Sequence, residues 1–188
     1  MNAQIDISGI VLHTERLILR PWRQEDLEDF YEYAKVDGVG QMAGWLPHES
    51  KEVTQTILDS FITHKKTFAL EWNGKVIGSL GIENYKEEEF PELDGLQGRS
   101  IGYVLSKDRW GQGLMPEAVK AVQAYLFDTV GYDFLIISHY AFNRQSKRVI
   151  EKCGFQYRKT IQLNTRYETT EDALVYLLMK EDWENAQA

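Results

Sequence analysis

Two glycines one residue apart, Gly111 and Gly113, mark the stretch of this chain best suited to chemistry. Glycine frees the backbone for positive φ and for close approach of another group. Ahead of the pair, Ile101, Tyr103 and Leu105 alternate with Gly102, Val104 and Ser106, the pattern of a strand. Behind it, Pro116 suits the first turn of a helix. Ala118, Val119, Ala121, Val122, Tyr125 and Leu126 follow at helical spacing. A glycine turn feeding a helix N-terminus gathers backbone N–H groups and the positive end of the helix dipole at one spot, which suits a phosphate. The same pattern also serves a strand-to-helix turn with no ligand. A second cluster opens another helical stretch. Asn143 suits its N-cap, Ser146 falls in its first turn, and Gly154 suits the C′ position that ends it.

These segments need a scaffold. Residues 1–13 read as a leader of uncertain order. Residues 14–22 form a first strand ended by Pro21. Leu27, Phe30, Tyr31 and Ala34 give residues 24–35 a helical stripe, and three glycines make residues 36–45 a loop. Ser50 caps a second helix with Val53, Ile57, Leu58 and Phe61 on one face. Two strands, 67–72 and 75–84, meet at Asn73-Gly74, a strong hairpin signal. Residues 85–98, rich in glutamate, read as a mobile loop. The apolar run at 134–140 reads as a strand buried on both faces. Further strands fall at 155–163 and 173–179, and the polar residues 180–188 are expected to fray. The order β-α-α-β-β-β-α-β-α-β-β predicts a mixed sheet with helices on its faces.

The chain has 188 residues, 43% of them hydrophobic and 27% charged, enough for one domain with a core that needs no staples. A net charge of −8 argues against a nucleic-acid partner. No apolar run approaches the length of a membrane span, and the first residues lack a signal-peptide pattern. The single cysteine, Cys153, allows no internal disulfide and fits a cytoplasmic setting, so any homodimer would be held without disulfides. No metal is expected.

Three segments carry a resemblance. TERLILRPW at 14–22, WGQGLMPEA at 110–118, and Asn143, Ser146, Arg148-Val149-Ile150-Glu151-Lys152 and Gly154-Phe155 occur in one order and spacing. They resemble the GNAT superfamily of acetyl-coenzyme-A-dependent N-acetyltransferases, and within it the RimJ/RimL type, the ribosomal-protein N-terminal acetyltransferases. The resemblance spans about residues 14–183. It implies an α/β (α+β) fold with a mixed, mostly antiparallel sheet splayed at the cofactor site and helices on both faces. It implies one acetyltransferase domain over residues 1–188. It also implies acetyl-CoA as cofactor. The pantetheine arm would lie beside Tyr103, Val104 and Leu105 and bond to Asn143. The turn formed by Trp110, Gly111, Gln112, Gly113, Leu114 and Met115 would hold the pyrophosphate. Arg109 or Arg148 would meet the nucleotide phosphates. Trp110 stands where the family commonly has Gln or Arg, and Met115 where it has Gly or Ala.

The implied chemistry is acetyl transfer to a primary amine. It needs a neutral amine, a stabilised oxyanion and a proton for the leaving thiolate. An α-amine, with a reference pKa of about 8 against about 10.4 for lysine, needs less help from a base. By family analogy Ser146 faces the thioester and donates to the departing sulfur; read as structure, it caps a free backbone group. Residues 156–167 hold no Asp or Glu, so the base used by some relatives does not carry over. Glu83, His139, Glu168, Glu171 and Asp172 remain as bases. Glu83 reads more readily as a solvated strand-end carboxylate, His139 as a hydrogen-bonded core histidine and Arg148 as a solvated helix residue; Asn143 reads equally as a cap. Three functions fit: acetylation of a protein or peptide α-amine, acetylation of a small amine, and a non-catalytic acyl-CoA-binding module. The acceptor pocket is expected from residues 36–50 and 85–98, and the acidic charge would favour a cationic acceptor.

Overall fold

Asn73 and Gly74 both take positive φ, 50° and 77°, the turn that matches the twist of a two-residue hairpin. They join β3 (Thr67–Trp72) to β4 (Lys75–Glu83) in a computed structural model that describes residues 1–188. The remaining strands are β1 (Leu12–His13), β2 (Ile18–Pro21), β5 (Gly98–Leu105), β6 (Phe134–Tyr140), β7 (Gln156–Asn164) and β8 (Thr170–Met179). One sheet holds all eight in the order β1-β2-β3-β4-β5-β6-β8-β7. Every pair is antiparallel except β5–β6. The five α-helices are α1 (Leu27–Ala34), α2 (Lys51–His64), α3 (Leu114–Ala124), α4 (Arg144–Lys152) and α5 (Lys180–Gln187).

Alternation along β5 decides which side of the sheet each helix covers. Ile101 and Leu105 join a core with Leu114, Val119 and Val122 of α3 and Ile150 of α4. Val104 faces the other way, onto Trp22, Phe30, Tyr33 and Leu58 of the layer built by α1 and α2. Buried Arg20 ties this layer to the sheet through Asp26 at 2.8 Å and Glu71 at 2.7 Å.

Two irregularities shape the centre of the sheet. In β4, Val76 pairs with Glu71 but Gly78 pairs with Leu70, so Ile77 is an extra residue and the strand bulges. Between β5 and β6 the parallel pairing stops at Ile101–Ile137. Tyr103, Val104 and Leu105 therefore continue without a partner on that side, as expected for a splayed sheet.

Three expectations are corrected. Residues 1–13 are not a loose leader: Ala3 and Ile7 are buried, Ala3 N–H donates to Gly98, Ile7 N–H donates to Lys65, and Leu12–His13 is a strand. These alternating apolar residues were masked by the polar ones between them. The acidic loop between β4 and β5 folds into two short turns that bury Phe90 and Leu93 against Phe134, Ile136, Val175 and Leu177. Its glutamates stay outside while two apolar anchors hold it. Residues 180–188 do not fray: α5 is held by Trp183, whose ring packs 5.2 Å from Phe127. No helix is long and apolar enough to cross a membrane.

Candidate active site

The gap between β5 and β6 opens into a cavity of about 310 Å³ floored by Tyr103, Val104 and Leu105. The glycine turn closes one end. Gly111 and Gly113 take φ of 75° and 78°, and nothing lies within 4 Å of where a Gly111 side chain would start. The N–H groups of Gly111, Gln112 and Gly113 donate to nothing within the protein. The first N–H groups of α3, those of Leu114 and Met115, have no intrahelical acceptor either. Arg109, Arg148 and Lys152 line the same cavity, and no carboxylate does. In a chain of net charge −8 this is a local positive site. Free amides and three cations fit a phosphorylated ligand.

The turn is pinned from behind by contacts that the sequence motifs do not specify. Arg16, ahead of β2, donates from Nη1 to the Gln112 carbonyl at 2.9 Å and from Nε to Glu117 at 2.8 Å. Glu117 also accepts from the Thr14 hydroxyl and the Arg16 N–H. Trp110 Nε1–H donates to the Leu105 carbonyl at 2.8 Å, fixing the start of the turn to the end of β5. Arg109 stacks on Trp72, its guanidinium carbon 4.5 Å from the ring centre. Met115 is buried in the core, which answers how the turn tolerates a long residue where the family has a small one.

At the other end stands the first turn of α4. Asn143 Oδ1 accepts from Ser146 N–H at 3.0 Å, the cap its sequence position predicts. Its Nδ2 donates to Met42 at 3.1 Å, tying the 40–43 turn to the cavity wall. Asn143 is thus a cap, and its side chain has one N–H and one lone pair left for a ligand. Ser146 is buried, with Oγ 2.9 Å from the Tyr103 hydroxyl. Burial holds the Tyr103 phenol above its ordinary pKa, so it keeps its proton at neutral pH.

A second cavity of about 620 Å³ lies under α1 and α2, and Val104 lines both it and the first. Ser79 pairs with Val104 across β4 and β5, so both side chains face this cavity. Phe30, Tyr33, Trp45, His48 and Phe61 form an aromatic wall. Burial, then the nearby Arg166, holds His48 below the ordinary histidine pKa. Its Nδ1 lies 2.9 Å from the Thr54 hydroxyl.

Of the residues predicted for the cofactor, Tyr103, Val104, Leu105, Arg109, Trp110, Gly111, Gly113, Leu114, Met115, Asn143, Ser146 and Arg148 all line the first cavity. Gln112 does not: its side chain folds back onto the Asp108 carbonyl, and only its backbone faces the turn. Glu83 lies in the second cavity, ion-paired with Lys66 rather than free in solvent. His139 lies in neither. It is buried between the Tyr140 carbonyl, 2.8 Å from Nδ1, and the Tyr176 hydroxyl, 3.3 Å from Nε2. It sits as a hydrogen-bonded core histidine away from both cavities. Glu168, Glu171 and Asp172 also lie outside both cavities. The second cavity draws on residues 45–49 but on none of 85–98, so the acidic loop does not build it. Sequence reasoning missed Arg16, Tyr33, His48, Ser79 and Arg166. Only Arg16 had a local signal, in the TERL stretch.

Residues 16–156 match the acetyltransferase (GNAT) domain, and the chain belongs to this family. It is therefore an acyltransferase that draws its acetyl group from acetyl-CoA. Over 178 residues it is 24% identical to the uncharacterized N-acetyltransferase YoaA of Bacillus subtilis, covering 90% of this chain and 97% of that protein. A GNAT-family acetyltransferase from Bacillus anthracis superposes with a TM-score of 0.79 at 22% identity, over 92% of this chain and 99% of that one. The Microcin C7 self-immunity acetyltransferase MccE, in complex with acetyl-CoA and AMP, superposes with a TM-score of 0.73 at 15% identity, over 88% of this chain and 93% of that one.

When bound, acetyl-CoA supplies an activated acetyl group as a thioester. The chain supplies amides and cations at the first cavity and a hydroxyl pair at Tyr103 and Ser146.

Proposed function

We propose that this chain is an N-acetyltransferase of the RimJ/RimL kind that acetylates an α-amine at the head of a peptide or protein. The observation that carries the reading is that Val104 lines two unlike cavities, one positive and phosphate-fitting, the other aromatic. The amides of Gly111 to Met115, with Arg109 and Arg148, hold the phosphates. Tyr103 would donate a hydrogen bond to Ser146 Oγ, and Ser146 would give its proton to the leaving thiolate and regain one, by way of solvent, from the nitrogen as it is acetylated.

The choice of an α-amine rests on the bases at hand. Glu83 is engaged by Lys66, and His48 is a weakened base. Neither is equipped to strip a proton from a lysine amine of pKa about 10.4, whereas an α-amine of pKa about 8 already has a substantial neutral fraction at pH 7 to 8. A small molecule bearing an α-amine is the second reading, favoured by the drug-sized volume of the acceptor cavity.

The test is release of coenzyme A thiol with matched peptides whose α-amine is free or blocked. Release with the free peptides alone supports the assignment. Equal release from peptides that keep only lysine amines refutes it, and binding of acetyl-CoA without transfer to any amine would mark a non-catalytic module.

A further inference from the structure

We infer that the second cavity selects an acceptor whose α-amine is carried on a flat apolar body, that of an aromatic amino acid, over polycationic amines. This rests on the acetyltransfer reading above and specifies its acceptor.

Three observations converge. The cavity wall is a continuous set of rings: Trp45 and His48 lie 5.0 Å apart, His48 and Phe30 5.4 Å, and Phe30 and Phe61 5.6 Å. Aromatic faces at these spacings leave edges and faces for one more ring. The rim continues this character. Leu46 and Val53, two of the few large hydrophobic side chains exposed on the whole chain, both border the opening. Apolar surface left in water at a cavity mouth is surface that a ligand can cover.

Charge points the same way. Two carboxylates, Glu49 and Glu83, and two cations, Lys66 and Arg166, line the cavity beside two imidazoles, His48 and His64, so its charges balance when both imidazoles are neutral. Glu83 is already paired with Lys66, while the Arg166 side chain is exposed and makes no ion pair. Glu49 is likewise exposed and without an ion pair, so a polyamine would find one free carboxylate here, offset by Arg166, and no acidic cluster to hold its several charges. The glutamates of the acidic loop, Glu87, Glu88, Glu89 and Glu92, lie outside this cavity.

The reacting end of the cavity is polar. Behind Ser79 lies Tyr33, 3% exposed, whose hydroxyl has no hydrogen-bond partner. Burial raises its pKa, and the neighbouring Ser79 hydroxyl acts the other way. A serine oxygen has two lone pairs. Ser79 Oγ can accept from Tyr33 on one and from an acceptor N–H on the other, which leaves the nitrogen lone pair free to attack. Tyr33 thereby gains the partner it lacks, and the amine is held beside Val104, which lines both cavities. Tyr33 and Ser79 are positioning residues in this scheme.

The experiment uses the full chain with acetyl-CoA and four acceptors: L-phenylalaninamide, glycinamide, L-lysinamide and spermidine. Burying one aromatic side chain predicts a kcat/KM for L-phenylalaninamide at least about tenfold above that for glycinamide. Ser79→Ala should raise the KM for L-phenylalaninamide several-fold with the acetyl-CoA Kd unchanged. Val53→Glu, at an exposed rim position, should move the ratio of L-phenylalaninamide to L-lysinamide toward lysinamide. Direct binding of L-phenylalaninamide, followed by saturation-transfer NMR and lost in a Val53→Trp variant that fills the rim, supports the inference even without turnover. That result with no transfer to any amine would sink the catalytic reading alone. Transfer that favours glycinamide or spermidine, with no detectable binding of L-phenylalaninamide, overturns the inference and leaves the catalytic reading standing.

Discussion

The Tyr103 hydroxyl lies 2.9 Å from Ser146 Oγ and 3.3 Å from the Ser146 carbonyl, bridging the unpaired end of β5 to the first turn of α4. A phenol kept protonated by burial can donate to the serine oxygen, which leaves the serine proton free for a third group. The helix is already capped by Asn143, so Ser146 Oγ is not needed for that task. Ser146→Ala is expected to lower turnover by roughly ten- to a thousand-fold with little change in acetyl-CoA affinity. Tyr103→Phe should cause a smaller loss of the same kind. Single-turnover rates and calorimetric Kd values measure the two effects separately. A Ser146→Ala variant that loses only melting temperature, with turnover intact, would make the pair a structural tie.

Gly113 caps α3 at a φ of 78°, where its N–H has no acceptor in the protein. Gly113→Val puts a β-branched side chain into a conformation it rarely adopts and into the path of a phosphate. Acetyl-CoA affinity by calorimetry should fall by about tenfold or more, on the scale of one lost charge-assisted contact, while denaturant unfolding stays cooperative. Unchanged affinity would remove the turn from the cofactor site.

Acid should loosen the same turn. Burial acts to raise the Glu117 pKa, but hydrogen bonds from Thr14 and Arg16 outweigh it and hold the carboxyl below its ordinary value of 4.5. A group with a depressed folded pKa contributes stability that is complete above its unfolded pKa and is lost as pH falls through the folded one. Urea unfolding between about pH 3 and pH 6 should therefore show stability falling toward the acid end, with a smaller slope for Glu117→Gln. Equal slopes would mean that the Arg16–Glu117 pair does not carry the effect.

Much of this site could be read from local spacing. The caps at Ser50 and Asn143, the turn at Asn73-Gly74 and the glycines at 111 and 113 each need a particular residue for reasons confined to a few neighbours. The second cavity was not legible. Tyr33, Ser79 and Arg166 come from α1, β4 and the β7–β8 turn, and only tertiary packing brings them to one wall. The acidic loop misled because its charges are conspicuous in sequence, while Phe90 and Leu93 decide where it lies. His139 was legible as a hydrogen-bonded core histidine, but the apolar run at 134–140 does not say that Tyr140 and Tyr176 take up its two ring nitrogens.

Cys153 should be chemically silent in the folded chain. Burial pushes its thiol up to about 12, so almost no thiolate exists near neutral pH. Alkylation with iodoacetamide should be negligible in native buffer and complete in denaturant. Any self-association measured by light scattering should be the same with and without reductant. Rapid native labelling, or a dimer that reductant dissolves, would contradict this environment.

The central claim is that an acetyl group passes to an α-amine beside Val104, which lines both cavities. The most direct measurement is tandem mass spectrometry of one peptide that offers a free α-amine and a lysine side chain to the same enzyme with acetyl-CoA. The account predicts acetylation of the α-nitrogen, abolished or strongly slowed in Ser146→Ala. Acetyl groups found on the lysine nitrogen, with the α-amine untouched, would contradict it.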